Sequence, residues 1–320
     1  ARAVREQTRG LLRRGHSVDL LCRHPGGEVP PTGSIEDANV FHYEVNRSNS
    51  FAYGLSSILG ARRLFRNQLR HVDWDAVVFH QPFSAAGLQS VLSKHIPTLY
   101  YFYSPAGIEY RLRAQNPESG RSPVGTGTIA SLLTRLEKRA LQRVNQIVVL
   151  SDFSRRLLED HGCVLPRTTT IPGGVDLDYF HPSGDRMSIK KRLGLPCDIP
   201  VLFSLRDLEQ RMGIDQLLRA VASLVRHRQL LCVVGGSGPL QSYLEQLADE
   251  LGIDDSVRFV GHIPEKELPH YYQAADLFVL PTTSHEGFGL VTVEALACGT
   301  PVVATPVGAT PEILGPLDPR

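Results

Sequence analysis

The chain has 320 residues, of which 42% are hydrophobic and 21% charged, and its formal net charge is +1. This balance is typical of a globular chain with a buried core, and it excludes a disordered or fibrous protein. The length suits two domains of ordinary size. No apolar run approaches the roughly 20 residues that span a bilayer.

The charges and cysteines indicate where the chain works. Residues 1–175 carry 22 Lys and Arg against 14 Asp and Glu, whereas residues 176–320 carry 12 against 19. A basic first half suits a membrane surface or an anionic acceptor, and ordinary solvated charge explains it equally well. The five cysteines stand singly without a C-x-x-C pair, which argues against a zinc site or disulfide framework and predicts a cytoplasmic protein.

Short β-rich runs alternate with helical stretches in the first half, which is the pattern of an α/β domain. A helix with apolar residues at Val4, Leu11 and Leu12 begins the chain. The predicted strands that follow cover residues 18–22, 40–45, 76–80, 98–102 and 146–150, and a helix at 129–144 precedes the last of them.

The same alternation returns after a polar segment that contains Pro and Gly. We take residues 1–182 as one domain, 183–200 as a linker and 201–320 as a second domain. Because the second set of strands is almost continuously apolar, it predicts a parallel sheet with helices on both faces. These strands cover 201–205, 230–234, 257–260, 276–280 and 301–304, with helices at 214–226, 240–251, 265–274 and 290–297.

Both ends of the chain depart from the usual plan of such domains. The chain begins in a helix, whereas a doubly wound domain normally begins with a strand and a Gly-rich turn. It stops soon after a strand. We therefore expect a chain that is truncated at both ends.

The densest group of candidate site residues lies between the strands at 276–280 and 301–304. Two glycines stand where a helix begins, so the backbone N–H groups from Gly289 to Val291 are predicted to face outward. Such a helix start attracts phosphate through its donors and its dipole.

Two carboxylates flank this helix start. Glu286 and Glu294 are eight residues apart, slightly over two helical turns, so both can lie toward one crevice. Carboxylates accept hydrogen bonds from sugar hydroxyls. The arrangement suits a ligand with a diphosphate between two sugars, and a helix start with ordinary surface acids is the alternative.

The run E-G-F-G-L-V-T-V-E at 286–294 resembles the E-x7-E motif of the family-4 retaining glycosyltransferases, which have the GT-B fold. The resemblance continues through 295–314, and it includes 275–282 and the glycine turn at 235–240. It implies an α/β protein with two Rossmann-like parallel-sheet domains that face a central cleft.

The resemblance also implies roles for individual residues. Glu294 would hold the nucleotide ribose, and Glu286 would act as a catalytic residue that contacts the donor sugar near the reacting face. Backbone N–H groups would bind the diphosphate. The donor-binding positions in this motif and in the glycine turn are Gly236, Gly289, Leu290, Val291 and Glu294.

Relatives usually supply a cationic pair to the donor phosphates from a G-R-L-x3-K-G segment. Here the corresponding segment places Asp207 and Met212 at the two cationic positions. The neighbouring Arg206 and Arg211 are the predicted substitutes, since arginine clamps two phosphate oxygens at once. Surface pairing of these arginines with Asp207 and Glu209 is the alternative.

The first half resembles the family at 14–18, 149–154 and 171–182. Tyr103 stands where relatives often carry a His, and it is our second catalytic candidate. A tyrosine can hydrogen-bond a donor hydroxyl, but it does not share a proton near neutral pH as His does. His80 is either a further candidate or a structural histidine. The Gly-rich acceptor loop of the family would precede Ala1.

Two further patterns leave alternatives open. The D-x-D patterns at 73–75 and 176–178 are too short to indicate a metal site, and we predict no metal. Residues 61–70 combine arginines with apolar positions at helical spacing. They form either a core-facing helix with a solvated basic face or a peripheral contact with an anionic membrane at its inner face.

The sequence therefore predicts a retaining, hexosyltransferase-type enzyme. It would move a sugar from a nucleotide diphosphate sugar, such as a UDP- or GDP-sugar, to an unidentified glycan, lipid or small-molecule acceptor. We expect no cofactor and no nucleic-acid partner. The alternatives are a non-catalytic sugar-nucleotide binder and, more distantly, a GT-B sugar-nucleotide epimerase. An NAD-dependent oxidoreductase is disfavoured, because residues 235–238 lack the G-x-G-x-x-G spacing.

Overall fold

The computed structural model describes residues 2–26, 32–35, 37–114, 126–160, 162 and 167–317. By their contacts, these residues divide into two compact units. The first holds most of residues 2–171. The second holds residues 172–317 together with residues 112–114 and Ser151–Phe153.

The first unit contains two sheets. The strands β4, β5, β6 and β7 are parallel and lie in that order, while β3 pairs parallel with β1 and antiparallel with β2. The strands are β1 (Asp19–Arg23), β2 (Thr32–Ile35), β3 (Ala38–Tyr43), β4 (Val77–Phe79), β5 (Thr98–Phe102), β6 (Gln146–Val149) and β7 (Arg167–Thr170). The helices are α1 (Arg2–Arg13), α2 (Ser50–Leu64), α3 (Pro82–Leu88), α4 (Ala106–Ala114), α5 (Thr126–Leu141) and α6 (Asp152–Asp160).

Aromatic and aliphatic residues of the central strands form the core of the first unit. In β5, Tyr100 and Phe102 are almost fully buried and lie opposite Ile147 and Val149 of β6. Every second residue of β5 faces this core, as expected for a strand whose side chains alternate between the two faces of a sheet. The predicted strands at 76–80, 98–102 and 146–150 agree with the structure within one residue at each end.

The second unit contains one parallel sheet of five strands, in the order β10-β9-β8-β11-β12. These strands are β8 (Val201–Leu205), β9 (Leu231–Gly235), β10 (Val257–Gly261), β11 (Leu277–Leu280) and β12 (Val302–Ala304). Its helices are α7 (Arg186–Arg192), α8 (Ile214–Leu224), α9 (Gln241–Glu250), α10 (Leu268–Ala274), α11 (Leu290–Ala297) and α12 (Thr310–Leu314). The predicted α/β fold with parallel sheets is thus confirmed.

Both faces of the second sheet are covered. In β8, Val201 and Phe203 belong to one buried cluster, whereas the intervening Leu202 belongs to the other. The neighbouring strand β9 alternates in the same way. The continuous hydrophobic character of these strands therefore reflects two separate cores, one on each face.

The segment at 183–200 differs from the predicted linker, because the second unit begins near residue 172. Its helix α7 places Ile189 in the core, and the ammonium group of the buried Lys190 lies 2.7 Å from the Asp276 carboxylate. Burial alone would raise the pKa of Asp276, but hydrogen bonds from Lys190 and the Val201 amide outweigh it and lower that pKa. Apolar burial and this ion pair explain why the segment packs onto the second unit.

In the part of the chain that the structure describes, every helix is too short or too polar to cross a lipid bilayer.

Candidate donor site

The helix start predicted at Gly289 is present in the second unit. Gly289 has φ of +83° and precedes α11, whose first residue is Leu290. This left-handed backbone favours glycine, and a Cβ here would lie only 3.3 Å from the Thr292 hydroxyl. The first N–H groups of a helix have no partner within the helix, so the positive end of α11 is directed at the preceding loop.

Glu286 is fixed in this loop by both its side chain and its backbone. Its carboxylate Oε2 lies 2.6 Å from Arg206 Nη2 and accepts a hydrogen bond of 3.1 Å from Thr282 Oγ1. Its carbonyl oxygen accepts a hydrogen bond of 2.9 Å from the Ala309 amide. A Cβ on Gly308 would overlap that carbonyl group. The position of Glu286 is therefore determined by three separate segments of the chain.

Arg206 pairs with Glu286, in preference to the surface acids that were its alternative partners. It follows β8, and its side chain is 8% exposed in the ion pair, against 10% for Glu286. Arg206 Nε is also buried, and it has no hydrogen-bond partner among the described residues. The pair thus combines a charged contact with one donor that remains to be satisfied.

Arg211 reaches the same loop from a 3-10 turn at Gln210–Met212. Its Nη1 donates a hydrogen bond of 3.2 Å to the carbonyl of His285, which has a left-handed φ of +58°. Its own carbonyl accepts hydrogen bonds from the backbone and the hydroxyl of Thr283. Both predicted arginines therefore contact residues between the carboxyl end of β11 and the start of α11.

Glu294 lies further along α11 and is 3% exposed. Its Oε2 accepts a hydrogen bond of 2.8 Å from the hydroxyl of Tyr272 in α10. Tyr272 is fully buried, and the sequence contains no pattern that would have identified it. The two glutamates of the motif thus have different partners: a cation for Glu286 and a phenol for Glu294.

The glycine turn after β9 allows two chain segments to approach closely. Gly236 has φ of +116°, and a Cβ there would overlap the carbonyl of Arg206. A Cβ on Gly238 would lie 2.5 Å from the Leu208 carbonyl oxygen. The backbone of Arg206 also donates a hydrogen bond of 3.0 Å to the carbonyl of Gly235. Gly236 therefore positions Arg206, and a contact of Gly236 with the donor stays a prediction.

Tyr103 belongs to the first unit, where it pairs with His80. The Tyr103 hydroxyl and His80 Nδ1 are 2.9 Å apart, and the two rings are stacked. Both residues follow the carboxyl ends of adjacent parallel strands, β4 and β5. Burial lowers the pKa of His80 to about 4 and raises the pKa of Tyr103 to about 12, so both side chains are neutral at pH 7.

Several polar residues near the helix start were not predicted. Thr282 follows β11 directly and donates a hydrogen bond to Glu286. A polar residue directly after a parallel strand is a sequence signal that could have identified it, because ligands bind at the carboxyl ends of such strands. Ser204 and Thr292 are fully buried, and their hydroxyl oxygens have no hydrogen-bond partner within the described ranges. These hydroxyls are further hydrogen-bonding groups at the carboxyl end of β8 and in the first turn of α11.

The D-x-D pattern at 176–178 serves a turn. The Asp176 carboxylate accepts a hydrogen bond of 3.1 Å from the Asp178 amide, and the Asp176 carbonyl accepts one from the Phe180 amide. Within the described residues, no group of three or more His, Cys, Asp or Glu side chains is placed to hold a metal ion.

Comparisons with known proteins cover both units. A family model described as Glycosyltransferase Family 4 matches residues 1–179, and one described as Glycosyl transferases group 1 matches residues 185–319. D-inositol 3-phosphate glycosyltransferase 1 of Catenulispora acidiphila is 33% identical over 95% of this chain and 73% of that protein.

Solved structures share the fold. Sucrose-phosphate synthase from Thermosynechococcus elongatus has a TM-score of 0.79 and 25% identity, and the match covers 96% of this chain and 75% of that one. The Anabaena protein HepE, solved in complex with UDP and glucose, has a TM-score of 0.68 and 18% identity, with coverage of 93% and 83%.

Proposed function

The chain belongs to glycosyltransferase family 4 and is a glycosyltransferase that uses a nucleotide-sugar donor, and we propose that it transfers the sugar with retention of the anomeric configuration. The observation that carries this proposal is the buried Arg206–Glu286 pair beside the helix start at Gly289. A carboxylate, a guanidinium group and a positive helix end meet at one loop. These are the groups that a donor sugar and its diphosphate require.

We propose that the positive groups stabilise the departing nucleoside diphosphate. Negative charge develops on the diphosphate as the bond to the sugar breaks, and preorganised donors lower the energy of that state. The helix start of α11 with Leu290 and Val291 supplies backbone N–H groups, and Arg206 and Arg211 supply charge. This distribution supports a mechanism without a metal.

Glu286 is proposed to orient the donor sugar. Its carboxylate has several acceptor positions in addition to the one that Arg206 occupies. Sugar hydroxyls are the matching donors. Glu294, held by Tyr272 deeper along α11, is proposed to accept hydrogen bonds from the nucleotide ribose.

Tyr103 is proposed to contact the donor sugar from the first unit. Because the pKa of Tyr103 is raised to about 12, its phenol stays protonated and donates a hydrogen bond, and neutral His80 is its partner. This pair is proposed to replace the histidine that relatives often carry at the position of Tyr103.

The acceptor is proposed to be a phosphorylated polyol, with D-inositol 3-phosphate as the first compound to test. Support comes from the relative of Catenulispora acidiphila, whose name specifies this acceptor. UDP is the first nucleotide to test, since HepE was solved with UDP.

The test combines donor binding with product analysis. UDP-, GDP- and ADP-sugars are titrated by calorimetry, and each donor that binds is incubated with D-inositol 3-phosphate. We expect release of the nucleoside diphosphate and, from an α-linked donor, an α-linked product by NMR. A β-linked product would overturn retention. Donor binding without any release would favour the non-catalytic binder, and conversion of the donor to an isomeric sugar nucleotide would favour the epimerase.

A peripheral membrane contact is proposed for the exposed face of α2. Phe51, Leu55 and Leu59 recur every four residues and are 69%, 47% and 52% exposed, and Arg63 continues the row. An apolar row beside arginines suits an anionic lipid surface. Co-sedimentation with vesicles that contain phosphatidic acid should fall in Phe51→Ser/Leu55→Ser. Unchanged co-sedimentation in this variant would exclude the α2 face.

A further inference from the structure

A groove in the first unit lies apart from the residues assigned above. It has a volume of about 910 Å³ and is bordered by the end of α2, the turn that follows, and the segments that precede β4 and β5. His80 and Tyr103 follow the opposite, carboxyl ends of the same two strands. The groove is therefore at the other edge of this sheet from the residues proposed to contact the substrates.

The groove is strongly basic. Three arginines, Arg62, Arg66 and Arg70, and two histidines line it, against the single acid Asp73. The arginines recur every fourth residue, so they fall along one side of the helical segment. No Asp or Glu occurs between residues 45 and 72, which leaves these charges without acidic neighbours in the same segment. Like charges at this spacing destabilise a helix unless an anion compensates them.

The helix changes geometry where the arginines lie. After Leu64, the end of α2, residues Phe65–Leu69 form a π-helical turn. π-Helical turns are rare in proteins, and those that occur often lie at functional sites. The turn carries Arg66 and places Arg70 at its end, so both guanidinium groups border the groove.

Arg62 distinguishes this groove from an ordinary helix end. Cations near the last turn of a helix are explained by the helix dipole, which accounts for Arg66 and Arg70. Arg62 lies in the last turn of α2, but the helical backbone continues beyond it to Leu69, so the dipole contributes less at Arg62 than at Arg66 and Arg70. Its Nε is buried, lacks a hydrogen-bond partner among the described residues, and belongs to a side chain that lines the groove. A buried donor without a partner is costly unless a ligand satisfies it.

The wall of the groove is apolar. Phe65 is 5% exposed, and Trp74, Val91 and Leu92 are partly buried against the core of the first unit. The Trp74 indole is fixed by a hydrogen bond of 3.0 Å from its Nε1 to the Leu69 carbonyl. An apolar wall beside three guanidinium groups fits a ligand that has a phosphate group attached to an apolar or ring-shaped body.

From these observations we propose that the groove is a second binding site, which takes a phosphate monoester or diester with an apolar or aromatic body. The phosphate would be bound by Arg62, Arg66 and Arg70, and the body would pack on the wall near Trp74. The source of this chemistry is either a soluble phosphorylated metabolite or the headgroup of an anionic lipid. The site is independent of the donor site and of the proposed transfer reaction.

The experiment has a soluble arm and a lipid arm. In the first, 1-naphthyl phosphate is titrated into the full chain, with 1-naphthol as the uncharged reference. In the second, binding is measured to phosphatidylcholine vesicles that contain roughly one-third phosphatidic acid, and the Phe51→Ser/Leu55→Ser chain is the background so that the α2 face does not contribute. We expect binding in at least one arm. It should weaken about tenfold or more in Arg66→Glu/Arg70→Glu, because two charge-assisted contacts are lost.

Matched variants separate this site from general charge effects. Arg226→Glu/Arg228→Glu makes the same charge change at exposed arginines of the second unit and should leave both arms unchanged. Arg211→Ala, in the donor site, should do the same. Arg62→Met, which keeps the apolar stem, should weaken binding by itself.

Three results would overturn the proposal. They are a wild-type chain that binds in neither arm, a groove variant that binds like wild type, and a control variant that loses as much affinity as the groove variant. Thermal unfolding of each variant confirms that the chain remains folded, and exposed positions such as Arg66 and Arg70 tolerate the change.

Discussion

The two units treat their functional polar groups differently. The second unit holds its site charges buried and paired, with Arg206 on Glu286. The first unit keeps the partly buried pair of His80 and Tyr103 neutral at pH 7 and leaves Arg66 and Arg70 exposed. A fixed charge at a fixed place suits the diphosphate that UDP-, GDP- and ADP-sugars have in common. Neutral donors and acceptors suit the more variable hydroxyls of a sugar.

The largest effect should come from breaking the charged pair. Arg206→Met leaves the Glu286 carboxylate buried and uncompensated, so we expect the free energy of unfolding to fall by about 3–5 kcal/mol and transfer to be lost. Arg206→Met/Glu286→Gln removes both charges, so it should regain most of the stability and none of the activity. Urea unfolding and nucleoside diphosphate release are the measurements. Equal stability of the single and double variants would show that the pair is not a coupled charge contact.

The close contact between Gly308 and the Glu286 backbone can be tested by comparison with Gly194, a glycine of the same backbone conformation. Gly308 and Gly194 have φ of +63° and +62°, but only at Gly308 would a Cβ overlap the Glu286 backbone, whereas Gly194 has open space. Gly194→Ala should cost about 1–2 kcal/mol of stability from backbone strain and retain activity. Gly308→Ala should cost more, about 3 kcal/mol, and displace Glu286, so transfer should fall. If the two variants had equal turnover, the Gly308 contact would not determine the position of Glu286.

The neutral side chain of His80 predicts that the folded chain loses stability as the pH falls. The pKa of His80 is about 4 in the folded chain, against 6.5 as the ordinary value. As the pH falls below 6.5, the unfolded chain takes up this proton while the folded chain does not, so stability declines until about pH 4. The loss is at most about 3 kcal/mol. His80→Gln should remove that share of the decline in urea unfolding at pH 7 and pH 5. An identical decline in both chains would place the sensitivity elsewhere.

The sequence predicts the second unit better than the first, for a physical reason. Strands that are buried on both faces, such as β8 and β9, consist almost entirely of apolar residues, so their composition identifies them in the sequence. All five strands of this unit agree with the prediction within a residue. The edge strand β7 has the sequence Arg-Thr-Thr-Thr and is not among the predicted strands, because an edge strand needs no apolar run. Helix α7 lies in the segment that the sequence predicts as a linker, because the role of its few apolar residues becomes apparent only from the packing of Ile189.

The candidate site shows the same limit. The convergence of Gly289, Glu286 and the arginines follows from their places at the carboxyl ends of parallel strands, which the sequence reveals. The choice of partner does not follow, because Arg206 and Glu286 are 80 residues apart and nearer acids were available. Tyr272 and Gly308 act through packing that local patterns do not record.

The smallest expected effect comes from removing the side chain that caps the start of α2, in comparison with the start of α11, which has no side-chain cap. In the first unit, the Asn49 side chain accepts a hydrogen bond of 2.8 Å from the Ala52 amide and caps α2, whereas Gly289 has no side chain with which to cap α11. Asn49→Ala should therefore lower the free energy of unfolding by about 1 kcal/mol and leave donor affinity unchanged, while Asn49→Asp should retain the cap. Urea unfolding and donor titration are the measurements. A loss of donor affinity in Asn49→Ala would contradict the distinction, because it would give a capped helix start the role that we assign to the one without a cap.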